Sequence, residues 1–75
     1  MALPGQGTYT ISCAEGYMFC VTSAPHVTVK IDGVKQTPIY KEEPSSYYYC
    51  QIFYFHDLNN AILSMDKGRG MVAYT

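Results

Sequence analysis

Thr8-Tyr9-Thr10-Ile11-Ser12-Cys13-Ala14-Glu15-Gly16-Tyr17-Met18-Phe19-Cys20-Val21-Thr22 contains two runs of strict alternation on either side of a glycine. Tyr9, Ile11 and Cys13 share one face in the first run, and Tyr17, Phe19 and Val21 share one face in the second. A period of two marks a half-buried strand. Ala14-Glu15-Gly16 has the length of a three-residue hairpin loop, and Gly16 tolerates the left-handed position that closes such a loop. The expected register sets Cys13 against Tyr17, Ile11 against Phe19 and Tyr9 against Val21. One face is then apolar and the other mostly Thr and Ser, so a slip of one residue would bury hydroxyls.

The same pattern continues outward. Ala24-Pro25 breaks the run, and His26 to Ile31 alternates with Val27, Val29 and Ile31 inward. Asp32-Gly33 between Ile31 and Val34 signals a type I′ hairpin turn. Pro38 cannot donate to a ladder, which places Val34–Lys41 at a sheet edge or bulge. Glu42-Glu43-Pro44-Ser45 reads as a polar loop, Asp57-Leu58-Asn59-Asn60 as a turn, and Asp66-Lys67-Gly68-Arg69-Gly70 as a glycine-rich turn before a last strand, Met71 to Thr75. Six or seven short strands with little or no helix predict a small antiparallel β-barrel or two-layer β-sandwich. The 75 residues form one domain, 1–75, with 1–7 as a flexible N-terminal segment.

Ser46 to His56 is rich in aromatic residues on both faces. Tyr47, Tyr49, Gln51, Phe53 and Phe55 lie on one side, and Tyr48, Cys50, Ile52, Tyr54 and His56 on the other. Extended, those eleven residues would reach about 36 Å, whereas a globule of this size has a diameter near ~30 Å. The strand therefore bends around a barrel or projects toward a partner. Tyrosine offers large, rigid contact area with a polar tip, so Tyr47, Tyr49, Phe53 and Phe55 are the expected protein-interface face.

Composition excludes several classes. With 48% hydrophobic and 15% charged residues the chain is not disordered. A net charge of −1 argues against nucleic-acid binding, which needs basic stripes to displace counterions. No apolar run is long enough to span a bilayer, and no signal peptide is visible at the start.

The three cysteines are an odd number, which favours reduced thiols in the cytoplasm. If Cys13 and Cys50 both faced the core they could form a disulfide, which defines a secreted alternative. Cys20 and Cys50 are each followed six residues later by a histidine. In an extended strand that spacing spans roughly 20 Å, so no metal site and no cofactor is expected. Glu42-Glu43 diverge as neighbours, and no nucleophile has a local base, so catalysis is not expected. Lys67 and Arg69, set among glycines, are the candidate anion-binding pair.

Two short stretches have partial likenesses. Ile11-Ser12-Cys13 with Tyr48-Tyr49-Cys50 resembles the two cysteine motifs of an immunoglobulin domain, but only 36 residues intervene and the core tryptophan is missing. Gly7-Thr8-Tyr9-Thr10-Ile11 resembles the opening strand of fungal β-trefoil protease inhibitors over five residues. Neither transfers a site residue. The expected function is a non-enzymatic protein-binding protein, homo-oligomeric, acting as a stoichiometric inhibitor or accessory factor of the kind phages and mobile elements encode against host defences. A small-ligand or nucleotide-binding oligomer using Lys67 and Arg69 is the alternative.

Overall fold

The computed structural model describes residues 1–23, 26–45 and 48–75, with side chains described outside 42–48. Seven strands follow in chain order: β1 (Ala2–Leu3), β2 (Gly7–Thr22), β3 (Val29–Ile31), β4 (Val34–Lys35), β5 (Tyr40–Ser45), β6 (Tyr48–Met65) and β7 (Arg69–Tyr74). They form one antiparallel sheet in the order β1-β7-β2-β6-β3-β4, with β5 also pairing β6. The described residues include no helix long and apolar enough to cross a membrane. The all-β, antiparallel expectation holds. Two of the strands, however, are not short.

β2 runs for 16 residues and β6 for 18. Straight strands of that length would extend about 53 and 59 Å, but the molecule measures 36 × 20 × 19 Å. Both must bend, and the bends fall where turns were expected. At Ala14-Glu15 the chain does not reverse. The Ala14 N–H donates to the Thr75 carbonyl (2.8 Å) and the Thr75 N–H donates to the Glu15 carbonyl (3.0 Å), so two residues of β2 sit against one. That is a bulge, which bends a strand and increases its twist. Along β6 the register against β2 shifts between the Ile11↔Ala61 and Cys13↔Leu58 pairs. Asp57 (φ 53°) and Asn60 (φ 51°) take left-handed backbone there, a conformation Asp and Asn accept better than most residues. The Ser12 hydroxyl accepts the Asn60 N–H at 2.8 Å, which satisfies a donor that the irregular ladder leaves over.

A one-residue bulge inverts which side of a strand faces in. Ile11 and Cys13 are buried as expected, but beyond the bulge the buried residues are Met18, Cys20 and Thr22. Tyr17 and Phe19, expected inward, lie outside, 53% and 45% exposed. The predicted hairpin and its register are therefore corrected to one continuous strand paired with β6 and β7. Val27, Val29 and Ile31 do face inward, and they join Leu3, Phe53, Phe55, Ala61, Leu63, Met65 and Val72 in a single core. The sheet thus wraps around one core contributed by strands from both of its ends.

Other boundaries also move. Asp32 (φ 49°) and Gly33 (φ 82°) form the expected tight turn with both central residues left-handed, and Ile31 pairs Val34 across it. Residues 42–45, read as a loop, continue β5 along β6 through an irregular register. The expected loose N-terminal segment is partly strand. Ala2 pairs Met71, Leu3 pairs Gly70, and Leu3 is fully buried. Gly70 lies so close to β2 that a Cβ there would collide with the Phe19 carbonyl oxygen, which lets β7 pack tightly on its neighbour. The Ala24-Pro25 break lies outside the described residues.

Gln51 fixes the approach to β3. Its side chain is 3% exposed, and its Oε1 accepts the Val27 N–H at 2.7 Å while its Nε2 donates to the Val27 carbonyl at 3.3 Å. A side-chain amide here replaces the backbone partner that a neighbouring strand would supply. Removing it leaves two polar backbone groups without that partner, at a cost of roughly 1–3 kcal/mol for each that stays dry. Gln51→Leu is therefore expected to lower stability by about 2 kcal/mol. Urea unfolding checks this as a lower midpoint at unchanged slope.

Candidate functional site

The bulge at Ala14-Glu15 turns an aromatic and aliphatic surface outward. Cross-strand partners share a face, so the outer side of β5, β6, β2 and β7 can be read as rows. One row pairs Tyr54 with Tyr17 and Tyr17 with Ala73. The next runs Tyr40, Ile52, Phe19, Met71 across four strands. A third pairs Cys50 with Val21 and Val21 with Arg69. Tyr40 (48%), Phe19 (45%), Met71 (53%), Tyr17 (53%) and Tyr54 (36%) keep much of their area in solvent. Ile52 and Val21 are half-buried between them.

The rings on this face are held by contacts among themselves. Tyr17 and Tyr54 lie 5.1 Å apart at a 53° tilt, and His56 stacks on Tyr54 at 5.7 Å. Such arrangements suit the ring quadrupole. The Tyr54 hydroxyl donates to Glu15 Oε2 at 3.0 Å. That hydrogen bond, with smaller effects of desolvation and nearby negative charge, pushes the Tyr54 phenol above its ordinary range and keeps it protonated. Glu15 and His56 border the patch at one end and Arg69 at the other.

The interface residues expected from sequence lie elsewhere. Phe53 (1% exposed) and Phe55 (3%) are core residues and cannot touch a partner in the folded chain. Tyr49 is half-buried with its ring against the edge of His26, centroids 4.5 Å apart. Tyr47 lies outside the described residues. From Tyr49 to His56 the strand pairs β2 in an unbroken register and turns Phe53 and Phe55 inward. The outward face uses Ile52 and Tyr54 from β6 and recruits Tyr17 and Phe19 from β2. The clean alternation of Tyr17, Phe19 and Val21 was the available signal, but without the bulge it reads as core.

Lys67 and Arg69 have different surroundings. Lys67 Nζ pairs with Asp66 Oδ2 at 3.5 Å, and Asp66 Oδ1 also accepts the Thr28 N–H at 2.7 Å. A nearby cleft of about 260 Å³ is lined by Thr28, Lys30, Ser64, Met65 and Asp66, so a carboxylate occupies its wall. Arg69 sits on the outer face beside Val21. Among the described residues, no three His, Cys, Asp or Glu side chains are grouped to hold a metal ion.

All three cysteines are free and buried. A Cys13–Cys50 bridge is ruled out by the ladder. Cys13 pairs Leu58, whereas Cys50 lies opposite Val21, eight positions along each strand. Cys20 points into the core, where burial and, secondarily, the nearby Cys50 push its thiol up to about 12.

No family model matches the chain, and no curated protein or solved structure is significantly similar to it.

The Cys20 shift makes stability depend on alkaline pH. The unfolded chain releases this proton near its ordinary value of 9.0, and the native fold holds it to about 12. Above pH 9 the native state thus binds more protons than the unfolded one, and stability falls with rising pH. The contribution is complete below pH 9 and is lost as pH climbs toward 12. Urea midpoints measured from pH 8 to pH 11 should fall for the native chain and fall less steeply for Cys20→Ala, whose residual slope reports the other groups.

Proposed function

We propose that this chain is a non-catalytic protein-binding domain and that its working surface is the outer face carrying Tyr17, Phe19, Ile52, Tyr54 and Met71. The observation that carries this reading is a contiguous row of large apolar side chains left in water. Exposed apolar patches of several hundred Å² rimmed by polar residues characteristically mark interaction sites. Aromatic residues and Met are enriched in interface cores, and charged residues are depleted there. The central rows of this face follow that composition, with Glu15, His56 and Arg69 at its ends.

A stoichiometric inhibitor or accessory factor works by occupying a surface of another protein, and a rigid sheet face suits that role because little order is lost on binding. The three free thiols support a reducing, cytoplasmic setting. Homo-oligomerisation belongs to the same reading, since the partner surface can be supplied by another copy.

The test compares the native chain with the double variant Phe19→Ser, Met71→Ser. Both side chains point away from the core, so the variant should keep its β circular-dichroism spectrum. Immobilised native protein should retain a partner, itself or a foreign protein identified by mass spectrometry, that the variant binds roughly tenfold or more weakly. Identical partner profiles for two folded proteins would refute the proposal.

A further inference from the structure

We infer that the occupant of the outer face is a second copy of this chain, packed face to face about a two-fold axis that crosses the strands at the level of Met18, between the Tyr17 row and the Phe19 row. The inference rests on the reading of this face as a binding surface and adds the partner and its orientation.

Charge placement selects the arrangement. Glu15 marks one end of the face, paired across the ladder with His56, and Arg69 marks the other, paired with Val21. Lys67, close to Arg69 in sequence, is already paired with Asp66. A two-fold axis across the strands reverses strand direction in the second copy. It brings each Glu15 next to Arg69 of the other copy, and symmetry makes the contact twice. An axis along the strands would instead set Glu15 over Glu15, a like-charge contact that disfavours that alternative. In the favoured arrangement the row Tyr40, Ile52, Phe19, Met71 meets the Tyr54–Tyr17 row of the other copy, and symmetry makes that contact twice, as a self-complementary interface requires.

Area is sufficient for a weak dimer. Tyr40, Phe19, Met71, Tyr17 and Tyr54 are each 36–53% exposed. At roughly 200 Å² per large side chain they offer about 450–500 Å² per copy. Fully covered, two copies would together bury about 900–1,000 Å², the range of weak, transient interfaces. Sheets pack face to face in this way in β-sandwiches, with side chains interdigitating over about 10 Å. A net charge of −1 per chain sets up little overall repulsion between copies.

The experiment measures solution mass by light scattering over a dilution series, for the native chain, Glu15→Arg, Arg69→Glu and the combined exchange. Phe19→Ser, Met71→Ser serves as the apolar control, and circular dichroism confirms that each protein is folded. The expected result is twice the 8.4 kDa chain mass, with dissociation strengthened roughly tenfold by each single reversal. The combined exchange should restore the native value within about threefold. Arg69→Glu carries the test if Glu15→Arg, which also loses the Tyr54 hydrogen bond, does not fold. In that case the restoring arm becomes Glu15→Gln with Arg69→Gln, whose effects should be less than additive.

A monomer at every concentration overturns the inference. If Phe19→Ser, Met71→Ser then still loses a foreign partner, the face remains a binding surface with another occupant. A dimer indifferent to Phe19→Ser, Met71→Ser overturns it by placing the contact elsewhere. A dimer weakened by that variant but showing no coupling between positions 15 and 69 overturns the two-fold arrangement.

Discussion

The pairing of β2 with β6 governs everything else in this fold. Each strand is longer than the molecule is wide, and they remain partners from Gly7↔Met65 to Thr22↔Tyr49. Two strands so joined cannot lie flat inside a chain of 75 residues. They have to coil together, and the concave side of the coil becomes the core. Leu3, Val29, Ile31 and Val72 then complete that core from strands β1, β3 and β7, of which β3 pairs β6 and β7 pairs β2.

The bulges make the coiling compatible with sequence. Without the extra residue at Ala14-Glu15, the inward face of β2 would run from Ile11 and Cys13 to Glu15, Tyr17 and Phe19, and a carboxylate would be aimed at the core. With it, the inward set passes to Gly16, Met18 and Cys20. Glu15 is freed to accept the Tyr54 hydroxyl on the outside. The same irregularity therefore bends the strand, keeps a charge in water and exposes the aromatic face proposed as the working surface. On β6, left-handed Asp57 and Asn60 bracket a stretch in which Leu58 packs against the core before Ala61, Leu63 and Met65 resume the inward pattern.

Local signals were legible in the sequence, and non-local ones were not. Asp32-Gly33 could be read because a two-residue turn is specified by the residues that form it. Val27, Val29 and Ile31 could be read because only one of their strand's faces is apolar. Ala14-Glu15-Gly16 and Asp57-Leu58-Asn59-Asn60 could not. A hairpin loop and a strand bulge use the same residue types, and only the partner strand decides between them. Phe53 and Phe55 were misassigned for a related reason. Both faces of that strand are apolar, so alternation carries no information about which one is buried. Curvature follows instead from the full 16 and 18 residues of β2 and β6, since residues 46–56 alone would fit the 36 Å long axis.

The buried Gln51 amide, described as the anchor of Val27, also bears on how the chain reaches this structure. Apart from the local β3–β4 and β5–β6 pairings, the ladders join segments far apart in sequence, as in Ala2 with Met71 and Tyr9 with Leu63. Closing such contacts is slow, because loop entropy is lost before the ladder forms, and folding times of milliseconds to seconds are typical. During that interval β6 can turn either of two apolar faces toward the core, and hydrophobic burial alone discriminates weakly between them. Gln51 distinguishes them. Turned inward it meets the Val27 backbone, and turned outward it would leave that backbone unmatched and the core one amide short. A single polar side chain thus acts as a checkpoint on strand orientation, rejecting the flipped pairing that the surrounding tyrosines and phenylalanines would tolerate.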